Sequence, residues 1–138
     1  MNKKQRQIEL YTLAFRMADA KGKQAAAACT PTPMIVSQHE NMADDNSPVA
    51  KQWYVPSGVC GFAWVTIRPA NSAVAHFAAT LPGWRLDSYS GGIKFWVSDY
   101  GQSMETKEAY ATAFAKELLA ILAPFEPKLR VSADSRMD

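Results

Sequence analysis

The chain has 138 residues, of which 48% are hydrophobic, 11% aromatic and 20% charged, enough to bury roughly two-thirds of its unfolded surface in one core and unlike a disordered or collagen-like sequence. Lys and Arg outnumber Asp and Glu by 15 to 13, a formal charge of +2, and that total by itself points to neither a nucleic-acid nor a membrane partner. Two cysteines make no disulfide framework, no Asn-x-Ser/Thr acceptor occurs, and no stretch reaches the ~18 apolar residues of a membrane span.

Residues 4 to about 28 read as a helix, with Ile8, Tyr11, Phe15 and Ala18 at spacings of three and four and an alanine-rich end. "TPTP" at 30–33 stops it. Residues 1–24 carry Lys3, Lys4, Arg6, Arg16, Lys21 and Lys23 against Glu9 and Asp19, a local charge of +4 that leaves −2 for the rest. The expectation is a basic helical arm, residues 1–32, on a single α+β domain, residues 33–138. Glu9, Arg16, Asp19, Lys21 and Lys23 interrupt any apolar core of a signal peptide. The acidic, Asn-rich "HENMADDNSP", 39–48, has no sustained period and is expected as a surface loop joining arm to body.

From Trp53 the pattern turns to sheet. "KQWYV" reads as a short strand and Pro56-Ser57-Gly58 as a turn, and "VCGFAWVTI", 59–67, is apolar at every parity, as a central strand covered on both faces would be. Asn71 and Ser72 offer an N-cap for a short helix through about Thr80, ended by Pro82-Gly83. "DSYSGGIKFWVSDY", 87–100, reads as a hairpin with a two-residue Gly91-Gly92 turn. That turn would set Ser90 against Ile93, Ser88 against Phe95 and Leu86 against Val97 on a core face shared with Trp84. Tyr89 against Lys94, Asp87 against Trp96 and Arg85 against Ser98 would form the other face. Ser103 can cap a long helix with Glu105 at its positive end and an apolar stripe of Met104, Ala111, Phe114, Leu118, Ile121 and Leu122. "KLRVS" returns as a last strand. Strand, strand, helix, hairpin, helix, strand after residue 50 predicts an α+β fold: a mainly antiparallel sheet with helices packed on it, plus the N-terminal helix, which could cover the second sheet face within the chain or from another copy.

No catalytic motif is complete, and the pattern leans away from an enzyme. "HENMA" at 39–43 has Ala43 where the second ligand of a His-Glu-x-x-His zinc motif must stand, and no phosphate loop, nucleophile elbow or calcium loop occurs. No cofactor or metal is implied. Cys60 could act as a nucleophile if His39 or His76 reached it, although a cysteine in an apolar strand is more often a small buried hydrophobe. Asp99, Tyr100, Gln102 and Ser103 cluster where a helix N-terminus can hold an anion, and the blander reading is that Asp99 or Ser103 caps the helix. The outer hairpin face is the best binding candidate. Tyr89 and Trp96 offer flat rings and Arg85 and Lys94 attract phosphate, the combination that single-stranded nucleic acid needs, while protein interfaces also favour Trp, Tyr and Arg. The alternative for that face is a small second core beneath the N-terminal helix.

Read together, "GVCGFAWV", "YSGGIKFWVSDYGQSMETKEAYATAFA" and the terminal "SRMD" resemble a group of small bacteriophage-encoded proteins of unassigned function, over most of the chain from about Pro33 to Asp138. The resemblance implies expression in the cytoplasm of a bacterial host, from a genome rich in small accessory, inhibitory and structural proteins, and carries no catalytic or binding residue with it. The first expectation is therefore a small non-enzymatic accessory protein, homo-oligomeric, that binds a nucleic acid or a host protein without membrane contact. The alternatives are a small enzyme or nucleotide-binding protein with a site near Cys60 and Asp99 to Ser103, and a virion or assembly component.

Overall fold

A computed structural model describes residues 1–41, 43, 44 and 46–138. The first helix, α1 (Lys3–Ala28), begins with a capping box: the Asn2 side chain accepts from the Gln5 backbone N–H at 2.9 Å, and the Gln5 side chain accepts from that of Asn2 at 3.1 Å. It ends where Cys29 becomes extended ahead of Thr30-Pro31. Its buried face is Tyr11, Ala14, Phe15, Ala18, Gly22 and Ala26, one stripe of a 3.6-residue period. Small side chains at 14, 18, 22 and 26 let α1 lie close against α3 (Met104–Leu122), which answers with Tyr110, Ala111, Phe114, Ala115, Leu118 and Leu122. The two run antiparallel: Tyr11 donates to Glu126, Phe15 meets Phe114 and Gly22 meets Tyr110. The helix expected as a basic arm thus supplies part of the core.

After α1 the chain makes a two-stranded antiparallel ribbon, β1 (Met34–His39) and β2 (Val49–Val55), with Met34 opposite Val55 and a bulge between Gln38 and His39. Nearly all of it is exposed, including Ile35, Val36, Trp53 and Tyr54. The segment 39–48 turns this ribbon rather than joining arm to body: Glu40 N–H donates to the Pro48 carbonyl at 2.8 Å, and Ser47 Oγ bridges to the carbonyls of Asn41 and Asp44. Met42 and Asp45, within that segment, lie outside the described residues.

The main sheet is built from β3 (Gly61–Arg68), β4 (Trp84–Leu86), β5 (Ile93–Trp96) and β6 (Arg130–Met137), in the order β4-β5-β3-β6 with all neighbours antiparallel. The helix α2 (Ala73–Ala78), capped by Ser72 through Ala75 N–H at 3.1 Å, follows β3, and α3 follows β5. Strand, helix, two strands, helix, strand with this order is the split β-α-β arrangement, and the fold is α+β as the sequence predicts. Ala63, Val65 and Ile67 of β3 are fully buried beneath the helices with Val74, Leu118 and Leu122, and each large side chain removed from water there contributes roughly 1.5–3 kcal/mol.

Three expectations change. α1 does not cover the second sheet face: it joins α3 and α2 on the first, because its Phe15 packs edge-on against Phe77, Trp84 and Phe114 at 5.2–6.1 Å. The central strand is therefore covered on one face only. The hairpin also closes differently, with Leu86 opposite Ile93 rather than Val97 and Trp84 opposite Phe95. Asp87 decides this. Its carboxylate accepts from Tyr89 N–H at 3.0 Å and Ser90 Oγ at 2.5 Å and pairs with Lys94 Nζ at 2.8 Å, which holds a wider loop over 87–92. Gly91 and Gly92, at φ 75° and 78°, end that loop instead of forming its whole turn. The register shift is four residues, an even number, so every strand side chain keeps the face the sequence assigned to it.

Candidate functional site

The sheet face turned away from the helices is open, and pairing register places its side chains. Phe62, Trp64, Thr66 and Arg68 project from β3, opposite Arg136, Asp134, Ser132 and Arg130 of β6 on one side; Trp96 stands opposite Trp64, and Lys94 opposite both Thr66 and Arg85, on the other. At its centre the Trp64 and Trp96 rings lie 4.5 Å apart at 31°, and Phe62 meets Trp96 edge-on at 5.9 Å. Trp96 remains 44% exposed. A large ring is thus left in contact with water, and the three rings together form a contiguous aromatic surface.

Cations surround these rings. The face carries Arg68, Arg85, Lys94, Arg130 and Arg136 against Asp134 and, in the adjoining loop, Asp87. Its net charge of +3 exceeds the +2 of the entire chain. The Arg136 guanidinium lies 5.6 Å from the centre of the Phe62 ring and Lys94 Nζ 5.5 Å from that of Trp64, both within cation-π range. Phe62 also has the Nζ of buried Lys107 at 5.6 Å, fixed by a 3.1 Å hydrogen bond to the Gly61 carbonyl. Arg68 stands directly opposite Arg130, and Arg85 opposite Lys94, like-charge neighbours that destabilise a sheet by themselves and favour an anionic partner. Among the described residues the ion pairs are Lys23 with Asp19 and Lys94 with Asp87, so Arg85, Arg130 and Arg136 have no carboxylate partner there. Lys94 is spoken for: its ammonium, first, and then Ser90 and the Tyr89 N–H hold the Asp87 carboxyl well below the usual carboxylate range. Beside Trp96, a cleft of about 370 Å³ is lined by Gly83, Arg85, Leu86, Asp87, Lys94 and Trp96.

The residues singled out from sequence separate into three places. Arg85, Lys94 and Trp96 meet at this cleft. Tyr89 sits at the loop tip, 99% exposed, and stacks on none of the face rings. Asp99, Tyr100 and Ser103 belong to the junction of β5 with α3. There Tyr100 adopts φ 73°, its half-buried ring lies 6.0 Å from that of Tyr110, and burial raises its hydroxyl pKa, with Asp99 and Asp19 adding to the rise. Ser103 is 5% exposed and caps α3, its Oγ accepting from Thr106 N–H at 3.3 Å. Cys60 stands opposite Ser103 at the start of β3, whereas His76 lies in α2 beside Ile93, which pairs with Ile67 near the other end of that strand. His39 is on the projecting ribbon with Nδ1 2.9 Å from the Ser47 carbonyl. Phe62, Trp64, Arg68, Arg130 and Arg136 were missed as site residues. For Arg130 and Arg136 the signal was present: polar residues at 130, 132, 134 and 136 alternate with Val131 and Ala133, which marks one solvated sheet face.

The helical side holds a second concavity, of about 480 Å³, walled by Phe15, Phe77, Trp84, Phe95 and Phe114 with Arg16 and Asp19 at its rim. Tyr110, whose hydroxyl donates to Asp19 Oδ1 at 2.5 Å, forms part of the same wall, and burial with this bond raises its pKa well above that of free tyrosine. Among the described residues no three His, Cys, Asp or Glu side chains converge to hold a metal ion, and no helix is long and apolar enough to cross a membrane. No family model, curated protein or solved structure matches the chain.

Proposed function

We propose that this chain is a non-enzymatic binding protein that lays a single-stranded nucleic acid across its open sheet face. What supports the reading is one juxtaposition: Phe62, Trp64 and Trp96 contiguous at the centre of an uncovered four-stranded sheet, flanked by arginines with no carboxylate partner among the described residues. Bases stack on such rings regardless of sequence, and the backbone phosphates meet the arginines. The exposed edge of Trp96 and the 370 Å³ cleft beside it have room for one planar base, with Arg85 at its side. The resemblance noted in the sequence fits a phage-encoded accessory protein acting in the bacterial cytoplasm.

The test is fluorescence anisotropy with labelled single-stranded DNA and RNA oligonucleotides of mixed sequence, at low and moderate salt. Trp64→Ala and Trp96→Ala should each weaken binding by roughly five- to 150-fold, the range that corresponds to losing 1–3 kcal/mol of stacking. Arg136→Ala should lower the slope of log K against log salt by about one. Circular dichroism confirms that each variant is folded. If folded wild-type protein binds no oligonucleotide at low salt, or if both tryptophan variants bind as tightly as wild type, the nucleic-acid reading is wrong and a protein partner for the same aromatic surface becomes the reading to test.

A further inference from the structure

The concavity on the helical side of the sheet has the size and the lining of a small-molecule site. Its volume of about 480 Å³ falls within the ~300–1,000 Å³ typical of such pockets, whose walls are mostly apolar with a few polar groups that fix orientation. Five rings make the walls: Phe15, Phe77, Trp84, Phe95 and Phe114, each 5.2–6.1 Å from another of the set and inclined to it by 32–74°. Phe15 of α1 meets Phe77 of α2 and Phe114 of α3, and Trp84 stands opposite Phe95 across β4 and β5. Three helices and the sheet therefore hold the rings in place. Phe77 and Phe95 are only half-buried.

The polar side chains of the lining decide what fits. Thr12, Arg16 and Asp19 follow one another at intervals of one turn along α1. The Thr12 hydroxyl donates to the Ile8 carbonyl at 2.7 Å. The Asp19 carboxylate accepts from the Tyr110 hydroxyl at 2.5 Å and pairs with Lys23 Nζ at 3.0 Å, so its charge is answered on the side away from Arg16. Arg16 itself has no carboxylate partner among the described residues. One uncommitted charge, a guanidinium, thus stands at the rim of an aromatic wall. The geometry points to a binding site for a small aromatic carboxylate, its ring body among the five rings and its carboxylate on Arg16. The anion follows from the charge, because a cation would meet Arg16 and find Asp19 already neutralised by Lys23. The carboxylate follows from the planar guanidinium fork, which takes two oxygens side by side, and from a single free positive charge, which leaves the near-double charge of a phosphate monoester unbalanced. The ring follows from the walls, since edge-to-face and offset ring pairs gain beyond the area they bury and rings at these inclinations offer both. The site lies on the opposite side of the sheet from Trp64 and Trp96, and the inference does not rest on the nucleic-acid reading.

The test uses naphthoate as the probe, with uncharged naphthamide and chain-like octanoate as controls, by titration calorimetry and by chemical-shift mapping of backbone and indole N–H groups. Naphthoate should bind one to one, and its shifts should centre on the Trp84 indole and on α1 around Arg16. Naphthamide should bind roughly tenfold or more weakly, the loss expected when a hydrogen-bonded charge is removed, and octanoate should also bind more weakly than naphthoate. Arg16 is exposed, so Arg16→Gln leaves the core alone and should weaken naphthoate by the same factor as loss of the ligand's charge, while Arg16→Lys should keep part of the affinity. Thr12→Phe, folded by circular dichroism, should block the site. Naphthoate that does not bind wild type up to its solubility limit overturns the inference. So does naphthamide or octanoate binding as tightly as naphthoate, an Arg16→Gln protein that binds naphthoate like wild type, or shifts centred on Trp64 and Trp96 of the open face.

Discussion

Gly22→Ala tests the docking of α1 on α3. Glycine inside a helix costs about 1 kcal/mol relative to alanine, so at an open helical position the change would stabilise the protein. Here a Cβ would stand 2.6 Å from both Cδ2 and Cε2 of Tyr110 and 3.1 Å from its Cγ, where carbon atoms make comfortable contact only at about 3.5–4.0 Å. Tyr110 has little room to yield: it is 6% exposed, its hydroxyl is bound to Asp19 at 2.5 Å, and its ring lies between Tyr100 at 6.0 Å and Phe114 at 5.9 Å. Either the ring moves and strains the bond to Asp19, or α1 lifts from α3. Overpacking of this sort costs about 1–3 kcal/mol. Against a propensity gain of about 1 kcal/mol, the net expectation is a loss of about 1 kcal/mol, or a fall of roughly 3–4 °C in Tm for a chain of this size. The assay is thermal and urea unfolding of wild type, Gly22→Ala, Tyr110→Ala and the double variant. With the ring gone, alanine at 22 should recover its helical advantage and stabilise by up to about 1 kcal/mol. A Gly22→Ala protein that melts above wild type, or an equal effect in the two backgrounds, would refute the packing argument.

The remaining predictions concern groups whose environment is equally specific. Asp87→Asn should lower Tm at neutral pH: the folded carboxyl titrates below its ordinary ~3.9, so its stabilisation is complete above that value and is lost as pH falls through and below it. The gap between wild type and variant should therefore narrow in acid, and a gap that is constant with pH would argue against the Lys94 pair. Tyr11 and Tyr110 both have raised pKa values, from burial first and then from bonds to Glu126 and Asp19. Their contribution is full below about 10 and declines as pH rises beyond it, so stability measured by urea should fall above pH ~10, and less steeply in Tyr110→Phe. Ser103→Ala should cost about 1 kcal/mol through loss of the α3 cap; a neutral result would release Ser103 for another role.

How much of this was readable in the chain depends on the range of the forces involved. α1, α2 and α3 were legible from local periodicity and, for α2 and α3, from caps at Ser72 and Ser103, and the central position of 61–67 from its unbroken apolar run, all signals that lie within a few residues of one another, whereas the Asn2 cap and the strand β1 were not read. The faces of the hairpin were likewise fixed by alternation, which survives an even slip, so Trp96, Arg85 and Lys94 came out on the open side even with the wrong turn. The turn itself was not legible, because Asp87 overrode the Gly91-Gly92 signal through Ser90 and Lys94. Nor could the sequence say that Phe62 and Trp64 face water. An aromatic residue in an apolar strand reads the same whether a helix lies over it or not, and that depends on which side of the sheet α1 lands. Small residues at 14, 18, 22 and 26 of α1 fit the Tyr110 and Phe114 side of α3, and Phe15 fits between Phe77 and Trp84. Local chemistry determined the elements, their caps and the side to which each residue points. Only the long-range fit of one helix against another decided which sheet face became core and which was left open with its aromatic rings and arginines.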